Sequence, residues 1–250
     1  MAEDVILETR GLTKEFKGFM AVRDVALKVR RGSIHALIGP NGAGKTTCFN
    51  LLTHFLEPTR GQIFFNGREI TGSSPSSIAR MGLVRSFQIS AVFPHLTVLE
   101  NVRVALQSRE SGGASYDFWS SERKLKRLDG PARELIEAVG LAEFESTVAV
   151  ELPYGRKRAL EIATTLALDP QMMLLDEPTA GMAHADVERI TALIKRASAN
   201  RTVLMVEHNL SVVSTLSDCI TVLQRGEILA EGDYAAVSAD PRVKDAYLGA

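Results

Sequence analysis

Cysteine is nearly absent: 250 residues hold only Cys48 and Cys219, far apart and without C-x-x-C spacing. A disulfide-stapled scaffold is thereby excluded, and a reducing compartment with both thiols reduced is expected. Long hydrophobic runs are missing as well. Nowhere do about 18 apolar residues follow one another, the length a bilayer-spanning helix requires, so any membrane role falls to a partner. The opening MAEDVILETR carries acidic residues and lacks the apolar stretch of a signal peptide. Nor is there an excess of charge. A formal net charge of −1 gives the whole molecule no bulk attraction to nucleic acid or anionic lipid. The five histidines show no metal spacing, and no nucleophile triad stands out.

What is present is ordinary globular material, 45% hydrophobic and 24% charged, enough for a sizeable core. The segments VILETRGL, MAVRDVALKV and SIHALIG alternate or run apolar and read as short strands. TTCFNLLTHFL reads as a helix, QIFFNG as a strand and TGSSPSS as a turn-rich stretch. Between about 89 and 160 the pattern becomes helical, in LTVLENVRVALQ, SERKLKRLDGPARELIEAVGL and GRKRALEIATTLAL. The Gly/Ser-rich SRESGGASYDFWS interrupts it as a loop. After 170, strands MMLLD, TVLMVE and CITVLQ alternate with helices. VERITALIKRA places Val187, Ile190, Leu193, Ile194 and Ala197 on one face. Strand–helix alternation implies an α/β fold with a largely parallel sheet, into which the helical block is inserted. The ending GDYAAVSADPRVKDAYLGA reads as two short helices around a turn at Asp240-Pro241.

Chemistry enters at Gly39-Pro40-Asn41-Gly42-Ala43-Gly44-Lys45-Thr46, which fits G-x-x-x-x-G-K-[ST] between the apolar IHALI and a helix. In that setting glycines let backbone N–H groups surround phosphate oxygens, assisted by the helix N-terminus. Lys45 is expected to neutralise β- and γ-phosphates and the Thr46 hydroxyl to ligate Mg²⁺, with Thr47 adding a phosphate hydrogen bond.

Met172–Glu177 (MMLLDE) places two carboxylates after four apolar residues, the form of a Walker B strand. Asp176 is expected to hold Mg²⁺ through its water shell, and Glu177 to polarise the attacking water as general base. The long gap between the two motifs accommodates the helical insertion. With no D-x-x-G and no N-K-x-D element, a GTPase is excluded; these two motifs alone leave a small-molecule kinase open.

Four further features, in order along nearly the whole chain, make it resemble the ABC ATPases. Phe16 in LTKEFKG stands where that family stacks an aromatic on adenine. Gln88 in VRSFQIS stands where a glutamine contacts Mg²⁺ and water and its loop senses the membrane partner. His208 after TVLMVE matches the switch histidine at the γ-phosphate. Leu152-Pro153-Tyr154-Gly155-Arg156-Lys157 occupies the place of the LSGGQ signature, which in the family caps ATP bound to the opposite subunit. Tyr154, Gly155 and Arg156 are then contacts in trans. Two departures stand out. Pro153 replaces the signature serine, removing a hydroxyl contact, and Ala183 ends the segment after Walker B where an acidic or amide residue is usual.

The resemblance implies a P-loop NTPase core with an N-terminal antiparallel β subdomain, the whole chain 1–250 forming one nucleotide-binding domain. Residues 1–88 and 161–250 would be the catalytic core and 89–160 the helical subdomain. One Walker A and one signature per chain imply a head-to-tail dimer around ATP and Mg²⁺. Within the family, VRSFQ, FPHLTVLENV, the insertion around Tyr116–Arg127, LPYGRKRALEIA and VKDAYLG resemble the ATPases of branched-chain amino acid importers. That likeness implies two transmembrane permease subunits, an extracytoplasmic substrate-binding protein and a second, identical or paralogous ATPase. It places the chain peripherally on the cytoplasmic face of the inner membrane. Similar cassettes serve urea, amides and aromatic acids, and a lipopolysaccharide-type exporter ATPase is the nearest rival. Nucleic-acid-linked relatives carry coiled-coil insertions or two cassettes, which this chain lacks. The basic group Arg123, Lys124, Lys126 and Arg127 is expected to be a solvated helix face rather than a nucleic-acid contact.

Overall fold

The computed structural model describes residues 4–86, 92–110 and 126–248, with nothing stated for the side chain of 248. Two sheets organise it. In the first, β1 (Val5–Phe16), β2 (Phe19–Val25), β5 (Arg60–Phe65) and β6 (Arg68–Glu69) run in the order β2-β1-β5-β6, with β3 (Lys28–Arg30) also paired to β1. All its pairings are antiparallel. The second sheet has the order β11-β10-β4-β9-β8-β7. Its strands β4 (Ile34–Ile38), β7 (Leu83–Ser86), β8 (Met172–Asp176), β9 (Thr202–Val206) and β10 (Cys219–Gln224) are parallel. The edge strand β11 (Glu227–Gly232) is antiparallel.

Strands β4, β8 and β9 are buried at every residue, as parallel strands covered on both faces must be. Their period-2 alternation divides the interior into two cores. Ala36, Met173, Leu175, Val203 and Met205 face a helical layer. Leu37, Met172, Leu174, Leu204 and Val206 face the antiparallel sheet and α1 (Lys45–Leu52). Each fully buried aliphatic side chain contributes about 1.5–3 kcal/mol relative to exposure.

The helical layer includes α3 (Val98–Glu110), α4 (Asp129–Ala138), α5 (Tyr154–Ala167) and α6 (His184–Ala197). Ile190, Leu193, Ile194 and Ala197 of α6 are buried and Val187 is partly so, the face that the sequence spacing predicts. Among the described residues between β7 and β8, the extended pairing is one isolated bridge, Thr97 with Val148. The chain ends in α7 (Leu210–Leu216), α8 (Tyr234–Ala239) and α9 (Pro241–Leu248), the last two flanking the expected turn.

Two local expectations need correction. TGSSPSS is not merely turn: Ser74 accepts a hydrogen bond from Ser77 N–H and Pro75 occupies the first turn of α2 (Pro75–Arg80). Serine as N-cap and proline at the start are a helix-initiating pair. The helix after the phosphate loop closes at Leu52, not at Leu56, because His54 turns into left-handed backbone at φ 56°.

Candidate nucleotide site

Parallel topology brings the chemistry together. The phosphate loop leaves β4, Asp176 ends β8, and Glu207-His208 follow β9; the order β4-β9-β8 makes these strand ends neighbours. Register is close: Leu37 pairs with Val206, and Val206 with Asp176. Ligand sites of open α/β sheets form at such carboxyl ends.

Within the loop, Gly39 sits at φ 149°, and a Cβ there would lie 2.1 Å from the Leu223 carbonyl oxygen. Only glycine allows that approach. Asn41 and Gly42 are exposed, Ala43 is buried, Gly44 and Thr47 are half-buried, and Thr46 is exposed at the first turn of α1. Lys45 is buried and its Nζ donates to the carbonyls of Gly39 (2.7 Å) and Pro40 (3.0 Å). Burial pulls its pKa below the usual lysine value, while the charges of Glu177 and Asp176 pull the other way. Those two carboxylates and the lysine therefore share one electrostatic environment.

Asp176 is 3% exposed, and its Oδ2 accepts from Arg85 Nη2 at 2.5 Å. Glu177 has left-handed backbone at φ 46°, unusual for a side-chain-bearing residue. Its N–H donates to the Val206 carbonyl at 2.9 Å, and its own carbonyl accepts from Ala180 N–H at 3.1 Å. The turn thereby presents the Glu177 carboxylate with His208 Nδ1 at 4.0 Å. Gln88 lies outside the described residues.

Sequence reasoning passed over the residue that joins these loops. Glu207 is fully buried; its Oε1 accepts from Thr179 N–H (3.0 Å) and the Thr179 hydroxyl, its Oε2 from the N–H of His208 (2.9 Å) and Asn209 (3.1 Å). An acidic residue ending an otherwise apolar strand was the available signal. Tyr247 of α9 was another omission. Burial raises its phenol pKa, opposed by the nearby Gly39 backbone.

Phe16 and Phe19 face each other at the tip of the β1–β2 hairpin, 44% and 66% exposed; only Phe16 had been anticipated. The hairpin is tied to the loop through Gly226, whose carbonyl accepts from Arg23 N–H and whose N–H donates to the Ala43 carbonyl. The signature residues begin α5 after Pro153, which supplies no side-chain cap. Tyr154 is half-exposed, its hydroxyl accepting from Arg158 at 3.3 Å. Gly155 is buried where a Cβ would come 2.7 Å from the Asp186 carboxyl carbon. Arg156 donates to the Gly140 carbonyl at 2.8 Å and covers the Phe144 ring, so its guanidinium is engaged within its own subunit. Of the basic group, Arg127 pairs with Glu110, while Arg123 and Lys124 lie outside the described residues.

Cα and side-chain geometry thus unite a phosphate loop, a Walker B carboxylate pair and a histidine on adjacent parallel strands. The ABC transporter family model matches residues 22–180, and a branched-chain amino acid ATP-binding cassette transporter model matches 227–250. The chain belongs to the ABC transporter ATP-binding family. It is 41% identical, over 98% of each chain, to the high-affinity branched-chain amino acid transport ATP-binding protein BraF of Pseudomonas aeruginosa. The ADP conformation of the cassette MJ1267 superposes with a TM-score of 0.85 at 31% identity, covering 98% of this chain and 99% of that one. The dimeric post-hydrolysis cassette MJ0796 with ADP and Pi gives 0.75 at 25% identity, covering 91% and 98%. This ABC ATPase binds nucleotide, and its phosphate loop and Walker B carboxylates lie at the carboxyl ends of β4 and β8. The donor set also suits Mg²⁺: the Thr46 hydroxyl and Asp176 carboxylate are hard oxygens. Among the described residues, no cluster of three or more His, Cys, Asp or Glu side chains could cage a metal by itself.

Proposed function

We propose that this chain is the ATP-hydrolysing subunit of an importer for branched-chain or other hydrophobic amino acids, acting as half of a nucleotide-sandwich dimer. The observation that carries the hydrolytic reading is the convergence of Lys45, Asp176, Glu177 and His208 on neighbouring strand ends. Lys45 releases its loop carbonyls to neutralise the β- and γ-phosphates. Glu177 accepts the proton of the attacking water, and His208 beside it contacts the γ-phosphate. Thr46, Gln88 and Asp176 would hold Mg²⁺, which would supply charge neutralisation on the transferring phosphoryl group. Phe16 stacks on adenine, and Tyr154 and Gly155 of a second cassette close over the phosphates, joined by Arg156 once its guanidinium leaves the Gly140 carbonyl.

Residues 1–88 and 161–250 act as the catalytic core and 89–160 as the helical subdomain. A groove of about 590 Å³ between these regions supports the permease partnership. Phe55, Ile78, Val92, Phe93, Val104 and Ala105 line it, with Phe55 54% and Phe93 48% exposed. An apolar groove of this kind takes the apolar face of a helix. Among the described residues no helix is long and apolar enough to cross a membrane, so two permease subunits would provide the path. The cassette then sits peripherally on the cytoplasmic face.

The test is the Glu177→Gln variant followed by light scattering with and without Mg-ATP, alongside phosphate release. A monomer that dimerises only with ATP and hardly hydrolyses is the expected result. Normal turnover would remove Glu177 as the base. A persistent monomer that binds ATP would replace the self-paired dimer with one requiring a paralogous cassette.

A further inference from the structure

Arg85 is out of place by the ordinary rules of a buried strand. It sits in the four-residue β7, opposite Leu174, with its side chain only 9% exposed. Parity along the paired strands puts it on the face of Leu174 and Asp176, toward α1. There the guanidinium divides between two acceptors: Nη1 donates to Asn50 Oδ1 at 2.6 Å, and Nη2 to Asp176 Oδ2 at 2.5 Å. The Phe49 ring lies beneath it, 5.7 Å from the guanidinium carbon. Its Nε is buried with no hydrogen-bond partner among the described residues. Burying an ion pair brings little net stability, because desolvation offsets the attraction, and an unsatisfied Nε adds cost. An aliphatic residue would serve the fold as well.

We infer that Arg85 is a positioning residue for the divalent cation, holding the Asp176 carboxylate by Oδ2 so that its other oxygen faces the metal's water shell. This rests on the Mg-nucleotide reading above. Asn50, on the helix that begins at Lys45, fixes the guanidinium from the phosphate-loop side. The carboxylate is therefore registered to the loop as well as to the strand. Arg85 also lines the groove proposed for the permease, so one side chain spans that groove and the metal carboxylate. Outer-shell partners of this type typically contribute 10–100-fold to metal affinity.

The experiment measures the fluorescent analogue MANT-ADP on the full chain, first in EDTA and then with added Mn²⁺, with free Mn²⁺ followed by electron paramagnetic resonance. The wild-type chain must bind MANT-ADP and take up Mn²⁺ with it; failure there would overturn the Mg-nucleotide reading itself. Given that, Arg85→Gln is expected to keep its metal-free MANT-ADP affinity. Its half-saturating Mn²⁺ should rise by roughly 10–100-fold. Arg85→Lys, which retains charge but loses the two-pronged hold, should fall between. A wild-type Mn²⁺ titration in folded Arg85→Gln, or a tighter one, would overturn the proposal, the latter by showing that the guanidinium competes with the metal. Should Arg85→Gln fail to fold, Asn50→Ala decides. It leaves the ion pair but frees the guanidinium, and must shift Mn²⁺ half-saturation upward; an unchanged value refutes the positioning role.

Discussion

Glu207 shows how much one side chain can organise. A carboxylate with no solvent exposure is tolerated because four donors from Thr179, His208 and Asn209 surround its two oxygens. Those donors belong to the turn after Walker B and to the segment carrying His208, so Glu207 locks the two together. Replacing it by glutamine turns one acceptor oxygen into an NH₂ group that faces N–H or O–H donors. Glu207→Gln is therefore expected to cost about 1–3 kcal/mol in chemical denaturation. It should also lower kcat for ATP beyond any effect on KM, since the His208 backbone loses its anchor. Unchanged denaturation and turnover would refute that locking role. Glu177 is a second residue whose conformation is held by its surroundings. Its left-handed backbone, costing about 1–3 kcal/mol, persists because Val206 and Ala180 clamp both of its peptide groups. The carboxylates at 176 and 177 are legible in the sequence from the MMLLDE pattern. Arg85 is not, since a lone arginine in LVRS does not announce a partner 91 positions along the chain.

At the scale of elements, the apolar strands were readable because a parallel strand covered on both faces must be apolar throughout, and β4, β8 and β9 are. What β4 conceals is His35. It is 1% exposed, with its Nε2 2.7 Å from Thr221 Oγ1 on β10, and that hydroxyl donates to Glu231 on β11 at 2.5 Å. Since the threonine proton goes to the carboxylate, Nε2 carries the imidazole proton. Burial, with Arg30 adding repulsion, lowers the His35 pKa to about 4. The unfolded chain protonates this histidine below pH 6.5 while the folded chain resists until about pH 4. Stability at neutral pH is thus lost as pH falls through that window, by roughly 3 kcal/mol. His35→Leu should flatten the pH 6.5–4 limb of urea-denaturation stability relative to wild type. An identical slope in both chains would place the acid sensitivity elsewhere. Element ends were less legible: α2 escaped notice because Ser74 and Pro75 read equally as turn residues until the cap geometry is seen.

Across the whole molecule, the groove beside β7 is where nucleotide chemistry and a membrane partner would meet. Asn101, 2% exposed, accepts from Phe93 N–H at 2.6 Å and shares its two amide N–H protons among the carbonyls of Phe93, Leu96 and Thr97. The backbone at Phe93 is pinned, so changing its half-exposed ring leaves the loop in place. Phe93→Asp should consequently fold and bind nucleotide as the wild type does. It should nevertheless fail to co-purify with its permeases, because a charge has entered an apolar groove. Normal assembly of that variant would move the permease contact to another face.

By itself the sequence determined the alternation of strands and helices and singled out Lys45, Asp176, Glu177 and His208 as candidates. Phosphate cradles, carboxylate pairs and apolar periodicity are written locally, within a few residues, and local patterns survive being read in one dimension. Only tertiary structure decided that Arg85 meets Asp176, that Glu207 ties Thr179 to His208, that Tyr247 comes near Gly39 and that Arg156 turns back to Gly140. Each joins groups distant in sequence through strand register, helix packing or a terminal segment folding back. Such contacts come from side-chain reach in three dimensions, which no residue spacing encodes.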